Sequence, residues 1–256
     1  MVLLSSSIHA ETIKGVVASG ACAIVGMSAE QCQLTALQRA RAAAIEEAAG
    51  IHITATTLVT NAMLSVDYIK SYAHGFIIKE KSQWSPLGQY QKDPASPPIP
   101  EYRVTITADV KVPEKQSDTA GLKAAANATV YRSGDKAVIG ISTDQPVRVA
   151  IFNITAADEV MLVFPNERDM GTILQPGIRF NFPNKGTVTE LVMEPLPGHD
   201  RDAEAFLVTA YSPTAMKNIL EIFPPGKTFK FSDFFRQYAE LPGWRGDVII
   251  GYEVVK

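Results

Sequence analysis

Tyr102-Arg103-Val104-Thr105-Ile106-Thr107-Ala108-Asp109-Val110-Lys111-Val112 alternates apolar and polar residues with a strict period of two. That period matches the pleat of a β-strand, so one face is core and the other is wet. A one-sided strand belongs to an antiparallel sheet that something covers on its dry side. The cover is legible upstream. Ser28-Ala29-Glu30-Gln31 reads as a capping box, and Leu34, Leu37, Ala44, Ile45 and Ala48 recur on one face until Gly50 supplies a stop. Alanines on that stripe let a helix approach a sheet closely. Residues 12–25, rich in Val, Ala and Gly, read as a strand. Residues 51–59 and 76–84 read the same way, with a short helix near 65–72. Five prolines between Pro86 and Pro100 mark a hairpin loop that does not pair.

Downstream the grammar changes. Residues 114–126 read as a linker, and seven short strands follow near 127–132, 136–143, 146–154, 158–164, 177–182, 187–194 and 203–211. Strands at that spacing predict a β-sandwich. A closing unit adds a helix capped by Ser232, with Phe234, Phe235, Tyr238 and Leu241 inward, and a last strand from Asp247 to Val255. The expected class is therefore α+β. An N-terminal antiparallel sheet under one long helix (11–113) precedes a β-sandwich with a short C-terminal helix (127–256).

The chain has 256 residues, enough for two cores, and its charges are evenly divided. Residues 1–113 hold nine Lys/Arg and nine Asp/Glu, and the remainder hold fifteen and eighteen. Without a block of one sign, the field that condenses on nucleic acid or anionic lipid is missing. No apolar run reaches the roughly 20 residues that span a bilayer. Residues 1–10, short, apolar and ending in Ala10, resemble the last part of a secretion signal, although a basic n-region is absent. A frayed cytosolic terminus is the alternative. Export is the expectation, to the periplasm or the outer membrane, with peripheral membrane association only through partners.

Chemistry is sparse. Cys22 and Cys32 lack the spacing of paired Cys-x-x-Cys zinc or redox sites. An oxidising compartment allows a disulfide between them, worth about 2–3 kcal/mol. Two buried free thiols are the other reading, and spacing does not choose between them. Gly226-Lys227-Thr228 looks like the tail of a phosphate loop, but Glu221, Pro224 and Pro225 stand where glycine and amides are needed. A turn before a strand fits better. Of the histidines, His9 lies in the signal-like start, His52 in an apolar strand and His74 after a helix end. His199 is different, because Gly198-His199-Asp200-Arg201-Asp202-Ala203-Glu204 offers one imidazole and three carboxylates. His199, Asp200, Asp202 and Glu204 would hold a divalent cation if they converged, with Arg201 opposing. A solvated loop is the plainer reading. Neither a Gly-x-Ser-x-Gly elbow nor a His-Glu-x-x-His helix occurs. The late aromatics Phe229, Phe231, Phe234, Phe235, Tyr238 and Trp244 read as core at helical spacing, with a binding surface as the alternative.

Two resemblances rest on these residues. The Gly/Ala strand, the helix Ala40-Arg41-Ala42-Ala43-Ala44-Ile45-Glu46-Glu47-Ala48, Gly50, the His74-Gly75-Phe76 turn and the alternating strand resemble the N-terminal domain of flagellar assembly protein T and related small bacterial lipoproteins. That family implies a periplasmic module without catalytic residues; the insertion at 86–100 departs from it. Tyr131-Arg132-Ser133-Gly134-Asp135, the strand from Val147 to Ile154, Phe164-Pro165-Asn166, Gly177 and the segment Phe180 to Pro183 resemble a bacterial domain of unknown function. It implies an interaction module over 127–211. The expected function is a non-catalytic, protein-binding or scaffolding envelope protein with unidentified envelope partners and no cofactor. The competing expectation is a small enzyme or ligand sensor working in a cleft between the domains.

Overall fold

A computed structural model describes residues 11–51, 71–72, 74–112, 118–170, 173–184, 189–214, 216–238, 241 and 243–256. The signal-like start and most of both the strand expected at 51–59 and the helix expected at 65–72 lie outside the described residues. The chain divides into two compact units, 1–55 with 70–115, and 56–69 with 116–256.

In the first unit, strand β1 (Glu11–Ala23) leads into helix α1 (Ala29–Ala49), and β2 (Phe76–Trp84), β3 (Gly88–Tyr90) and β4 (Ile99–Val112) follow. The sheet order is β1-β4-β2, with β3 also on β4, and every pair is antiparallel. The alternation of β4 is realised: Val104, Ile106, Ala108 and Val110 are buried while Arg103 and Thr107 are exposed. Helix α1 begins on the expected capping box. The Gln31 amide donates to Ser28 Oγ at 3.2 Å, and the Ser28 amide donates to Gln31 Oε1 at 2.9 Å. It ends with Gly50 at φ +63, where Ile51 N–H reaches back to the Glu46 carbonyl at 3.0 Å. The helix rests on β1 and β4. Its buried stripe of Cys32, Ala36, Ala40 and Ala44 comes so close that a Cβ on Gly20 would strike the Ala36 carbonyl oxygen and the Ala40 nitrogen. The proline-rich stretch was expected not to pair, yet residues 88–90, which carry no proline, pair with 99–101.

The second unit is built on a six-stranded sheet in the order β14-β10-β9-β13-β15-β6. Its strands are β6 (Val130–Arg132), β9 (Arg148–Ile154), β10 (Glu159–Phe164), β13 (Arg201–Tyr211), β14 (Thr228–Lys230) and β15 (Trp244–Val255). Only β6, pairing with β15, runs parallel to its neighbour. A three-stranded sheet joins β11 (Phe180–Phe182), β8 (Ile139–Ser142) and β5 (Lys123–Ala126); β12 (Leu191–Val192) pairs with β7 (Lys136–Ala137). One core lies on this side and gathers Tyr131, Ile139, Ile141, Ile151, Phe182 and Phe206 among others. The opposite face of the large sheet is covered by helices α2 (Met216–Ile222) and α3 (Phe231–Tyr238), where Phe152 meets Phe223, Phe234 and Tyr238 edge-on.

This corrects the expected fold class. Strand makes up 48% and helix 17%, so the protein is mostly β and distributed over several sheets, rather than an α+β chain ending in a sandwich. The physical reason is visible in β13. Every residue from Ala205 to Tyr211 is buried, so both faces of this strand are dry and helices must cover the second. The expected linker is corrected as well, since Ala120 and Leu122 are core residues and 123–126 form a strand. Ser232 lies inside α3 rather than capping it. The late phenylalanines are core, as expected. Among the described residues no helix is long and apolar enough to cross a membrane.

Gly20→Ala is expected to destabilise the first unit by about 3 kcal/mol, because the helix cannot retreat without opening its alanine seam. Urea unfolding of the variant against the parent measures it, and an unchanged midpoint would refute the close approach.

Candidate functional site

Polar groups enter the core of the second unit at one end of β13. Asp202 and Glu204 lie on the face shared with Phe206, Val208 and Ala210, two residues apart, and both are buried. Register places Tyr252 of β15 opposite Glu204 and Asn153 of β9 opposite Phe206. Tyr252 Oη is 2.7 Å from Glu204 Oε2 and 2.6 Å from Asn153 Oδ1. Asn153 Nδ2 and the Ala156 amide approach the same carboxylate at 3.4 and 3.5 Å. Burial raises the Glu204 carboxyl above the ordinary range, with Asp202 adding to the effect; the bonds from Tyr252, Asn153 and Ala156 pull the other way. Tyr252 carries one hydroxyl proton for two acceptors, Glu204 Oε2 and Asn153 Oδ1. Burial, with the neighbouring Glu204, also holds the Tyr252 hydroxyl well above its usual range.

The four residues weighed as metal ligands do not converge. His199 Nδ1 lies 2.5 Å from Asp202 Oδ1, and Asp202 Oδ2 accepts from the Leu196 amide at 2.6 Å. Asp202 therefore clamps the 196–199 turn onto β13. Asp200 points outward to Lys256 Nζ at 2.6 Å, which lowers its carboxyl pKa. Glu204 faces the core instead. Each acid has its own partner, and among the described residues no group of three or more His, Cys, Asp or Glu side chains is arranged to hold a metal.

Cys22 and Cys32 are both buried and both free. Cys32 Sγ donates to the Cys22 carbonyl oxygen at 2.9 Å, and burial, with the adjoining Cys32 thiol, pushes the Cys22 thiol up to about 12. His74 sits exposed in a turn, while His9 and His52 fall outside the described residues. Gly226-Lys227-Thr228 is a turn into β14, with Lys227 Nζ 4.8 Å from the Phe229 ring centre.

The sequence pattern around Tyr131 serves the fold. Tyr131 is buried edge-on to Tyr252 at 5.8 Å and donates to Asn127 Oδ1 at 2.8 Å. Gly134 takes φ +89, Asp135 Oδ2 accepts the Arg132 amide at 2.7 Å, and the turn is bonded to Met193 through both backbone groups at 2.9 Å. Phe164 packs on Phe180 and Phe182, and Asn166 Oδ1 accepts the amides of Arg168 and Asp169, each at 3.0 Å. Residues 130–203, which span these features, match the family described as Domain of unknown function (DUF4384). No curated protein matches the chain. The match covers less than half of the sequence and leaves β14 and β15, which the same sheet requires, outside it.

The sequence singled out Asp202 and Glu204 as candidate ligands in a loop, whereas both lie within β13. Their partners Asn153 and Tyr252 were missed, because they come from strands remote in sequence and carry no local signal.

A carboxyl whose pKa is higher folded than unfolded binds more protons in the native state, so its contribution falls as pH rises from the ordinary Glu range through the folded value. Glu204→Gln is expected to remove that decline and to hold or raise stability at neutral pH. Thermal midpoints of both proteins from about pH 4 to 8 test this. Parallel profiles would count against a buried, proton-holding Glu204.

Proposed function

We propose that this chain is a non-catalytic binding module of the bacterial cell envelope, docking other envelope proteins rather than transforming a substrate. The observation that carries the reading is the hairpin end of the first unit. Trp84, Leu87 and Tyr90 stand 41%, 59% and 42% exposed within a few residues of one another in sequence. Large apolar and aromatic side chains left in water at a strand end are characteristic of contact surfaces, and Trp and Tyr dominate the energetics of protein interfaces. Trp84 is braced edge-on by Tyr102 at 6.4 Å, which presents the ring without much freedom to lose on binding.

Two further points support it. The polar residues that stand out in the second unit are engaged in turns and local pairs, as a scaffold requires. The resemblance of residues 11–113 to the N-terminal domain of flagellar assembly protein T implies a periplasmic setting and work within an assembly. The signal-like residues 1–10 suit the same compartment.

A photo-crosslinking residue at Leu87, in the full chain expressed in its native envelope, is expected to yield adducts with envelope proteins on irradiation. The same residue at exposed Asp200 serves as the control, and osmotic shock should release the chain with periplasmic proteins. Equal labelling at both positions, or a cytosolic fractionation pattern, would defeat the proposal.

A further inference from the structure

Three sulfur-bearing side chains gather where β1 passes into α1. Cys22 lies near the end of β1, Met27 in the connecting turn and Cys32 in the opening turn of the helix, giving Cys-x-x-x-x-Met-x-x-x-x-Cys. Cys22 Sγ is 3.7 Å from Met27 Sδ. The Cys32 thiol is hydrogen-bonded to the Cys22 carbonyl oxygen at 2.9 Å and interacts with the Cys22 thiol. Both cysteines are buried, whereas Met27 is half-buried, so the cluster is enclosed by protein and reaches solvent on its thioether side.

Thiolate and thioether are soft donors, and such sets select Cu(I) over harder cations. Metal–thiolate bonds are about 2.3 Å long, so neighbouring sulfurs in a trigonal set stand roughly 4 Å apart, close to the Cys22–Met27 separation. Two thiolates around a monovalent ion leave one net negative charge. The Arg39 guanidinium, which donates to the Ala21 carbonyl, faces Cys22, and Cys32 sits where the N-terminal dipole of α1 favours an anion. Glu101 opposes that charge but is paired with Arg103 at 2.6 Å.

We propose that Cys22, Met27 and Cys32 form a three-sulfur binding site for Cu(I). Binding exchanges two thiol protons for the ion: Cu(I), two S–H groups and one thioether give a complex of charge minus one and two released protons. No electron moves, because the copper arrives reduced. The Cys32 bond to the Cys22 carbonyl is given up in the process. A disulfide would use the same thiols but would leave the approach of Met27 without a role.

The test titrates the reduced full chain with Cu(I) under nitrogen against bathocuproine disulfonate, read by the absorbance of the chelator complex. One Cu(I) per chain should be withdrawn. Cys22→Ser and Cys32→Ser should abolish this. Loss of even an outer-shell partner typically weakens metal binding by tenfold or more, so Met27→Leu, which keeps the side-chain volume, should cost at least about tenfold. Its metal-free thermal midpoint should stay unchanged, which separates ligation from folding. Copper-edge absorption spectra should count three sulfurs in the parent and two in Met27→Leu. No withdrawal of copper, or equal affinity in Met27→Leu, would overturn the site. So would a Cys22–Cys32 disulfide in chain acid-trapped from copper-supplied cells.

Discussion

Strand β13 must be kept dry on both faces, and the second unit is organised around that requirement. From Ala205 to Tyr211 no residue is left to water. Burial of this kind contributes about 25 cal/mol for each square ångström of apolar surface removed from solvent, which favours covering both sides. Strands β9 and β15 satisfy its backbone laterally, the small sheets close one face and the helices close the other. Tyr238 of α3 reaches the second face and donates to Thr209 Oγ1 at 2.9 Å, so that buried hydroxyl is not stranded.

The first unit obeys a different constraint, set by size rather than hydrophobicity. Gly20 and the alanines of α1 allow helix and sheet backbones to approach more closely than larger side chains would permit. The same small residues leave little apolar volume per turn, so the seam depends on close contact rather than on bulk. That contact also brings the Cys32 thiol within hydrogen-bond reach of the Cys22 carbonyl at the mouth of the seam.

Much of this was legible before any coordinates. The period of β4 and the capping box of α1 are local signals, written in residues that touch one another, and both hold. The strand positions of the second unit were also readable from their turns. The layers were not. Alternation reports whether a strand has one wet face, but Ala205-Phe206-Leu207-Val208-Thr209-Ala210 does not alternate, and that run is the sign of a strand covered twice. Counting strands without weighing it led to a sandwich. The 199–204 segment was misleading for a related reason: spacing places His199, Asp200, Asp202 and Glu204 near one another along the chain, while Lys256 and Tyr252, which claim Asp200 and Glu204, approach from the far end of the sequence.

The parallel pairing of β6 with β15 ties residues 130–132 to 253–255, more than a hundred positions downstream. A ribosome delivers β6 long before β15 exists. Until then β13 emerges with only β9 to pair with, and one of its edges stays open to any passing strand. Long-range closure of this sort is slow, and a nascent chain that waits in such a state needs shelter from its neighbours. The topology thus makes closure of the whole sheet wait on a strand that follows β6 by more than a hundred residues.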